Sequence, residues 1–430
     1  MAGGRSIDVT ILGVGAAGEV TARLLANVPE IKVLRLADVR KQRLAEVGKK
    51  IQRDVDLVRA DLGRTEDIRN ACRDADIIVN ATMPRYNVPV MREAVRIRAN
   101  YLDLASEGSP DPKERSKVHE QLALDPEFRR IGRTAILGMG VAPGITNLLA
   151  GHSTDSLDRI DSIRIRVYGS GYAEVEGYLF APLFSPETFL EEVLWPAPVW
   201  TGGRIKKVPP FSGEEEFPFP DPLGIGICYN VNNEEAETMP LILKKDIGFI
   251  DFKYAIAPRR KSLLENLVRL GVTSPDPIRV GNAEIAPLDV LLALLPDASS
   301  LAGRATGHTC VVVEAEGQKG GRKRSGRLWT IMEHQDAYDR MGVHATAFLT
   351  GAPPAAAVIA LLAGEIGRPG VTTASGLDSE PILRHAASLG VPLFEGRIGG
   401  VRGAPMALGL GASRRGRPRT DRDTRIQGAL

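Results

Sequence analysis

Cysteine is scarce in this chain, and the three present, Cys72, Cys228 and Cys310, are far apart and without metal-ligand spacing. That leaves neither a disulfide framework nor a cysteine-based zinc site, and it favours a reducing, cytoplasmic setting. An excess of one charge is missing too. The 55 Lys+Arg residues against 53 Asp+Glu give a net charge of +2, so the composition asks for no nucleic-acid partner. No run approaches the roughly 20 apolar residues of a membrane span. The polar start, Met1 to Ser6, lacks the apolar core of a secretion signal. Histidines are few, and His152, His308, His334 and His344 show no His-Glu-x-x-His or similar spacing, so no metal is expected. What remains has an ordinary globular composition, and it is too long for a single core of about 250–300 residues. Two domains are expected.

Up to about Ala150, short apolar β-type runs alternate with amphipathic helical stretches, the pattern of a parallel sheet with crossover helices. Strands are expected at Ile7–Leu12, Lys32–Ala37, Val55–Arg59, Asp76–Ala81, Tyr101–Ala105 and Thr134–Leu137, and helices at Ala16–Asn27, Thr65–Cys72 and Val88–Arg98. Six such strands complete a Rossmann sheet, so residues 1–150 read as an α/β dinucleotide-binding domain.

From Ile160 the texture changes. Ile163, Ile165 and Val167 alternate with Arg164 and Arg166, which reads as a half-buried antiparallel strand with one polar face. It opens a mixed α/β substrate and oligomerisation domain over 151–345. Between Ala181 and Pro222, prolines and glycines surround one helical piece, Pro186–Leu194, and the rest is expected to be irregular loop, for example a lid over a substrate site. Strands follow at Thr309–Glu314 and Leu328–Met332. The alanine-rich helix Ala355–Leu362 is expected to return onto the Rossmann domain within a segment spanning 346–412. The arginine-rich tail, 413–430, has too little apolar surface to offset its ordering entropy and is expected to be disordered.

Gly13-Val14-Gly15-Ala16-Ala17-Gly18 is a G-x-G-x-x-G set lying directly after the strand Val9-Thr10-Ile11-Leu12 and directly before a helix, the context that this motif requires. Gly13 permits the tight turn, Gly15 lets a pyrophosphate approach the backbone, and Gly18 lets helix and strand pack closely. Free N–H groups of the first helical turn, from Ala16 and Ala17 onward, then hold the phosphates. The expected ligand is NAD(H) or NADP(H), with S-adenosylmethionine as the main competitor. Asp38, ending the second strand, would accept hydrogen bonds from the adenosine ribose and repel a 2′-phosphate, which favours NAD. Arg40, Lys41 and Arg43 keep NADP open. Asp61 is placed to meet the adenine, and Asn80, Ala81 and Thr82 lie on the carboxyl edge where the rest of the cofactor should run.

Several segments together resemble the saccharopine dehydrogenase family, most nearly its L-lysine 6-dehydrogenase branch. They are the glycine fingerprint, Val79-Asn80-Ala81-Thr82-Met83-Pro84 with Asn87-Val88-Pro89-Val90-Met91, Asn100-Tyr101-Leu102-Asp103-Leu104, and Gly140-Val141-Ala142-Pro143-Gly144-Ile145-Thr146-Asn147. Farther on, Glu235-Ala236-Glu237-Thr238-Met239-Pro240 and Thr350-Gly351-Ala352-Pro353, the latter before an alanine-rich helix, continue the likeness in order and spacing. The resemblance implies redox chemistry at a carbon–nitrogen bond of a small amino acid, Pro143 against the cofactor, and a homodimer or larger homo-oligomer. It also implies a histidine just before Glu235, where this chain has Asn232-Asn233. That departure points to an altered substrate or a lost proton-transfer group.

Oxidising an amine to an imine needs hydride delivery to the nicotinamide, a proton lost from the ammonium, and water to hydrolyse the imine. Arg85 could clamp a substrate carboxylate and Tyr86 relay a proton. Glu235 is the leading carboxylate for the amine or for base chemistry, and Asp103 could face the cofactor edge or cap a turn. The leading expectation is an NAD(P)-dependent amino-acid dehydrogenase. The alternatives are a reductase that couples an amine with a carbonyl compound, of saccharopine or carboxynorspermidine type, and a non-catalytic NAD(H)-responsive regulator.

Overall fold

Aliphatic and β-branched runs form the six strands of the first domain: β1 (Ile7–Leu12), β2 (Ile31–Asp38), β3 (Asp56–Arg59), β4 (Ile77–Asn80), β5 (Asn100–Asp103) and β6 (Thr134–Leu137). In this computed structural model, residues 7–173 and 175–408 are described. The expected tail and the first six residues lie outside them. All pairings are parallel, in the order β3-β2-β1-β4-β5-β6, and a seventh strand, Gly370–Thr373, extends the sheet beyond β6. No strand is expected there from the sequence, since Gly370-Val371-Thr372-Thr373 begins at a glycine and carries a single aliphatic residue. The strand order reverses between β1 and β4, which opens a crevice at the carboxyl edge.

The second sheet has ten strands and is mixed. Arg159–Tyr168 runs antiparallel to His308–Lys319 on one side but parallel to Asp246–Ala255 on the other, so the antiparallel expectation holds on one edge only. Its polar face is not solvent throughout. Arg166 is 1% exposed and is held by two hydrogen bonds to Asp251, at 2.7 and 2.9 Å, and by Glu215. Between Ala181 and Pro222 the helix Pro186–Leu194 forms as expected, yet the rest is less irregular than expected. Ala197–Thr201 and Arg204–Val208 pair as a hairpin because Gly202 and Gly203 supply the positive φ of its turn.

The returning helix spans Ala345–Leu362 and starts ten residues earlier than the alanine run suggests. Gly351, Pro353 and Pro354 therefore lie inside it. It crosses α1 (Ala16–Leu25) closely: a Cβ at Gly351 would fall 2.4 Å from the Ala17 carbonyl oxygen, and the Thr21 hydroxyl donates to the Gly351 carbonyl at 2.8 Å. By length and composition this helix could cross a membrane, although no run of that kind is expected from the sequence, but 78% of it is buried inside the protein. It serves as the core element that joins the two domains.

Candidate active site

The backbone at the carboxyl end of β1 is shaped by its glycines. Gly13 takes φ +81° and donates its N–H to the Ala37 carbonyl. A Cβ at Gly18 would sit 2.0 Å from the Gly13 carbonyl oxygen, whereas one at Gly15 would meet nothing within 4 Å. Gly18 thus permits the helix-to-turn approach, and Gly15 faces open space. Helix α1 has no side-chain cap, and its first backbone bond runs from Glu19 N to Gly15 O, which leaves the N–H groups of Ala16, Ala17 and Gly18 for an anion.

A cavity of about 610 Å³ opens over this turn. Its adenosine end is bordered by Asp38, Val39, Arg40, Asp61 and Leu62, and its far end by Thr82, Tyr86, Val141, Ser185, Glu192 and Tyr254. The dimensions suit a dinucleotide and a small substrate together. Asp38 ends β2 with one carboxylate oxygen accepting from Val14 N at 3.0 Å and the other from Arg40 N at 2.9 Å. It is fixed where the ribose would lie. Arg40 borders the cavity and pairs with Asp297 of the second domain at 2.8 Å. Arg43 does not face the ligand space: it is buried, bonding the Val14 carbonyl at 2.8 Å and Glu19 at 2.6 Å. Asp61 lines the cavity while accepting from Gly63 N at 3.0 Å.

Several expected site residues do structural work instead. Asn80 is buried, and its amide binds Asn87 at 2.9 Å and the Thr82 hydroxyl at 2.5 Å. It shapes the turn that presents Ala81 and Thr82 to the cavity. Pro143 is buried and packs toward Gly138, and Gly140, Val141 and Ala142 form the wall in its place. Arg85 points outward and forms a two-pronged pair with Glu187 at 3.2 and 3.3 Å, so it does not clamp a substrate carboxylate here. Tyr86 does line the cavity. Asp103 is 1% exposed and accepts from Gly138 N at 2.7 Å and Gln121 at 2.6 Å. Burial pushes its carboxyl up to about 7 against those hydrogen bonds.

Glu235 is wholly buried and does not border the cavity. One carboxylate oxygen accepts from the Thr146 hydroxyl at 2.8 Å and the other has no partner among the described residues. Burial raises its carboxyl to about 7. The carboxyl that borders the far end of the cavity is that of Glu192, on the helix Pro186–Leu194, accepting a 2.6 Å hydrogen bond from the Tyr254 hydroxyl. Burial drives Glu192 up to about 8. The Tyr254 hydrogen bond opposes this, and the nearby Glu235 and Glu191 charges add to it. Neither residue of this pair is among those expected from the sequence, where the irregular loop around the helix, not the helix, is read as a possible lid. Phe189, Leu190 and Val193 form the buried stripe of that helix, and Glu192 and Thr188 flank the stripe. An acidic residue at the edge of an apolar stripe was the available signal.

Residues 9–136 match the saccharopine dehydrogenase NADP binding domain, and residues 140–390 match the saccharopine dehydrogenase C-terminal domain. The chain belongs to the saccharopine dehydrogenase family. Within this family, carboxynorspermidine synthase of Vibrio alginolyticus is 31% identical over 324 residues, covering 74% of this chain and 76% of the relative. Carboxyaminopropylagmatine dehydrogenase of Synechocystis sp. is 24% identical over 397 residues, covering 90% and 97%. Saccharopine dehydrogenase (L-Glu forming) from Saccharomyces cerevisiae has a TM-score of 0.65 at 17% identity, covering 91% of this chain and 100% of that one. Homospermidine synthase of Legionella pneumophila, solved with NAD, gives 0.65 at 13% identity, covering 91% of each. These two structures share the fold. The protein is an NAD(P)-dependent oxidoreductase of the saccharopine dehydrogenase family, with a Rossmann cofactor domain and a mixed-sheet second domain. The open space at Gly15 and the free N–H groups of α1 fit that cofactor.

Proposed function

We propose that this protein is a reductase that joins an amine to a carbonyl compound, the reaction type expected here as the alternative to L-lysine 6-dehydrogenase. The observation that carries the reading is the far end of the cavity: it is bordered by the carboxyl of Glu192, with no arginine or lysine among the described residues there. Glu191, Glu234 and Glu235 lie close enough behind to raise one another's or Glu192's proton affinity. An acidic end of this kind suits an amine substrate. The names of two relatives, carboxynorspermidine synthase and carboxyaminopropylagmatine dehydrogenase, support the same reaction type.

The amine and carbonyl condense to an imine with loss of water; a reduced nicotinamide, held by the turn at Gly15 and the first N–H groups of α1, would supply the hydride that reduces the imine carbon and leaves a secondary amine. Glu192, largely in its acid form near neutral pH, gives the proton that the nitrogen requires. Tyr254 positions it. The turn at Thr82 to Pro84 and the segment Leu183 to Ser185 wall the same end from solvent. Asp38 and Arg40 stand at the adenosine end with opposite preferences for a 2′-phosphate. The test is a panel of amines, each with keto acids and aldehydes, followed by loss of reduced-nicotinamide absorbance. Amine-dependent consumption that needs both partners is expected. Oxidation of lysine alone, with no coupling activity in either direction, would overturn the reading.

We infer as well that the protein works as a homodimer in a reducing, cytoplasmic setting. Support for the dimer comes from the hairpin Ile278–Ile285, whose one face presents Ile278, Val280, Ala283 and Ile285 to water. A lone two-stranded hairpin with an apolar face is marginal in water, and a second copy supplies the missing cover. The three cysteines are free and buried. Light scattering of wild type and Val280→Asp checks the assembly: a monomeric wild type counts against it.

A further inference from the structure

Beside Glu192 lies a second, much smaller space of about 20 Å³, lined by Ser106, Glu191, Asn233 and Glu234 among others. It shares Ala105, Thr188 and Glu192 with the large cavity, so the two spaces adjoin at the reaction end. That volume admits one water-sized group. Three acceptors surround it. The Ser106 hydroxyl oxygen, on a residue 9% exposed, has no hydrogen-bond partner among the described residues. Among the described residues the Glu234 carboxylate accepts only the Ser106 N–H, at 2.9 Å, and neither Glu191 nor Glu234 is in an ion pair. Glu237 also borders the space, but Lys207 at 2.6 Å and the Ser116 hydroxyl at 2.5 Å already engage it. Asn233, whose amide nitrogen has no partner among the described residues, lines the same space. As a donor it takes no part in holding a cation.

We propose that this chamber is the subsite for a second ammonium group, carried at the far end of the amine substrate while the reacting nitrogen lies at Glu192. An ammonium has three N–H donors and no acceptor, matching the Glu191 and Glu234 carboxylates and the Ser106 hydroxyl. It also restores a countercharge to carboxyls that burial otherwise leaves unpaired. The inference rests on the amine-coupling reading and adds to it that the amine is selected by its far end and by the length between its two nitrogens.

The test uses the full chain saturated with the oxidised cofactor, so that binding is read without turnover. Straight-chain diamines from ethylenediamine to cadaverine are titrated calorimetrically, each against the monoamine of the same carbon number. The subsite requires that affinity peak at one diamine length, there exceeding the matching monoamine by roughly 10–100-fold, the worth of hydrogen bonds to charged groups. Ser106→Ala and Glu234→Gln should each bring that diamine down toward the monoamine. Glu191→Gln serves should Glu234→Gln fail to fold. Diamines no tighter than monoamines, or tighter by the same factor at every length, would overturn the subsite while amine-dependent turnover keeps the coupling reading alive. No amine binding and no turnover would remove both.

Discussion

Removing the proton that Glu192 supplies gives the sharpest check on the chemistry. With its carboxyl at about 8, Glu192 is roughly nine-tenths protonated at neutral pH, so the acid form is in supply and the coupling rate should be level below that value. Above it the rate should fall about tenfold per pH unit as the acid form disappears. Glu192→Gln keeps the shape and loses the proton, and kcat for coupling should drop by roughly 10²–10⁴-fold with the alkaline limb gone. The neighbours set the signs of two further shifts. Tyr254 donates to the carboxylate and holds its proton affinity down, so Tyr254→Phe should move the limb to higher pH. Glu235 raises that affinity by its charge, so Glu235→Gln should move the limb to lower pH. Initial rates over about pH 6 to 10 with both substrates saturating measure all three. A Glu192→Gln enzyme with the wild-type rate and an unchanged limb would refute the assignment, as would shifts opposite to those stated.

Other positions give independent checks. Gly15→Ala should leave thermal stability near wild type, since its Cβ meets nothing, yet weaken cofactor binding about tenfold or more by intruding on the pyrophosphate; Gly18→Ala, 2.0 Å from a carbonyl oxygen, should lose about 1–3 kcal/mol or more of stability. If the two variants behaved alike in melting and titration, the placement of the phosphates would be wrong. Arg40→Ala should weaken NADPH by roughly tenfold while sparing NADH, and Asp38→Ala should do the reverse, as read by cofactor fluorescence; equal losses for both cofactors would show that neither residue discriminates. Arg85→Ala removes an exposed pair with Glu187, so stability should change by less than about 1 kcal/mol and KM should hold. A large rise in KM would return Arg85 to the substrate.

How far the sequence could be read follows from the range over which each feature is determined. Gly13, Gly15 and Gly18 answer demands made within six residues, and Asp38 follows from where β2 ends, so turn, helix and cavity mouth were legible together. Asn80, Asp103, Arg85 and Glu235 sit where the carboxyl-edge rule or the family likeness put them along the chain, but their side chains were claimed from afar. Asp103 faces Gln121 and Gly138, Arg85 meets Glu187, and Glu235 meets Thr146. No periodicity in one segment announces a partner dozens of residues away. Glu192 and Tyr254 show the converse. Neither carries a motif, and they meet only because the helix Pro186–Leu194 lies across the end of Asp246–Ala255. A side chain becomes part of the site here when two elements from separate stretches close on the cofactor edge. That is why the cofactor half of this enzyme is written locally in its sequence and the amine half is written in its tertiary contacts.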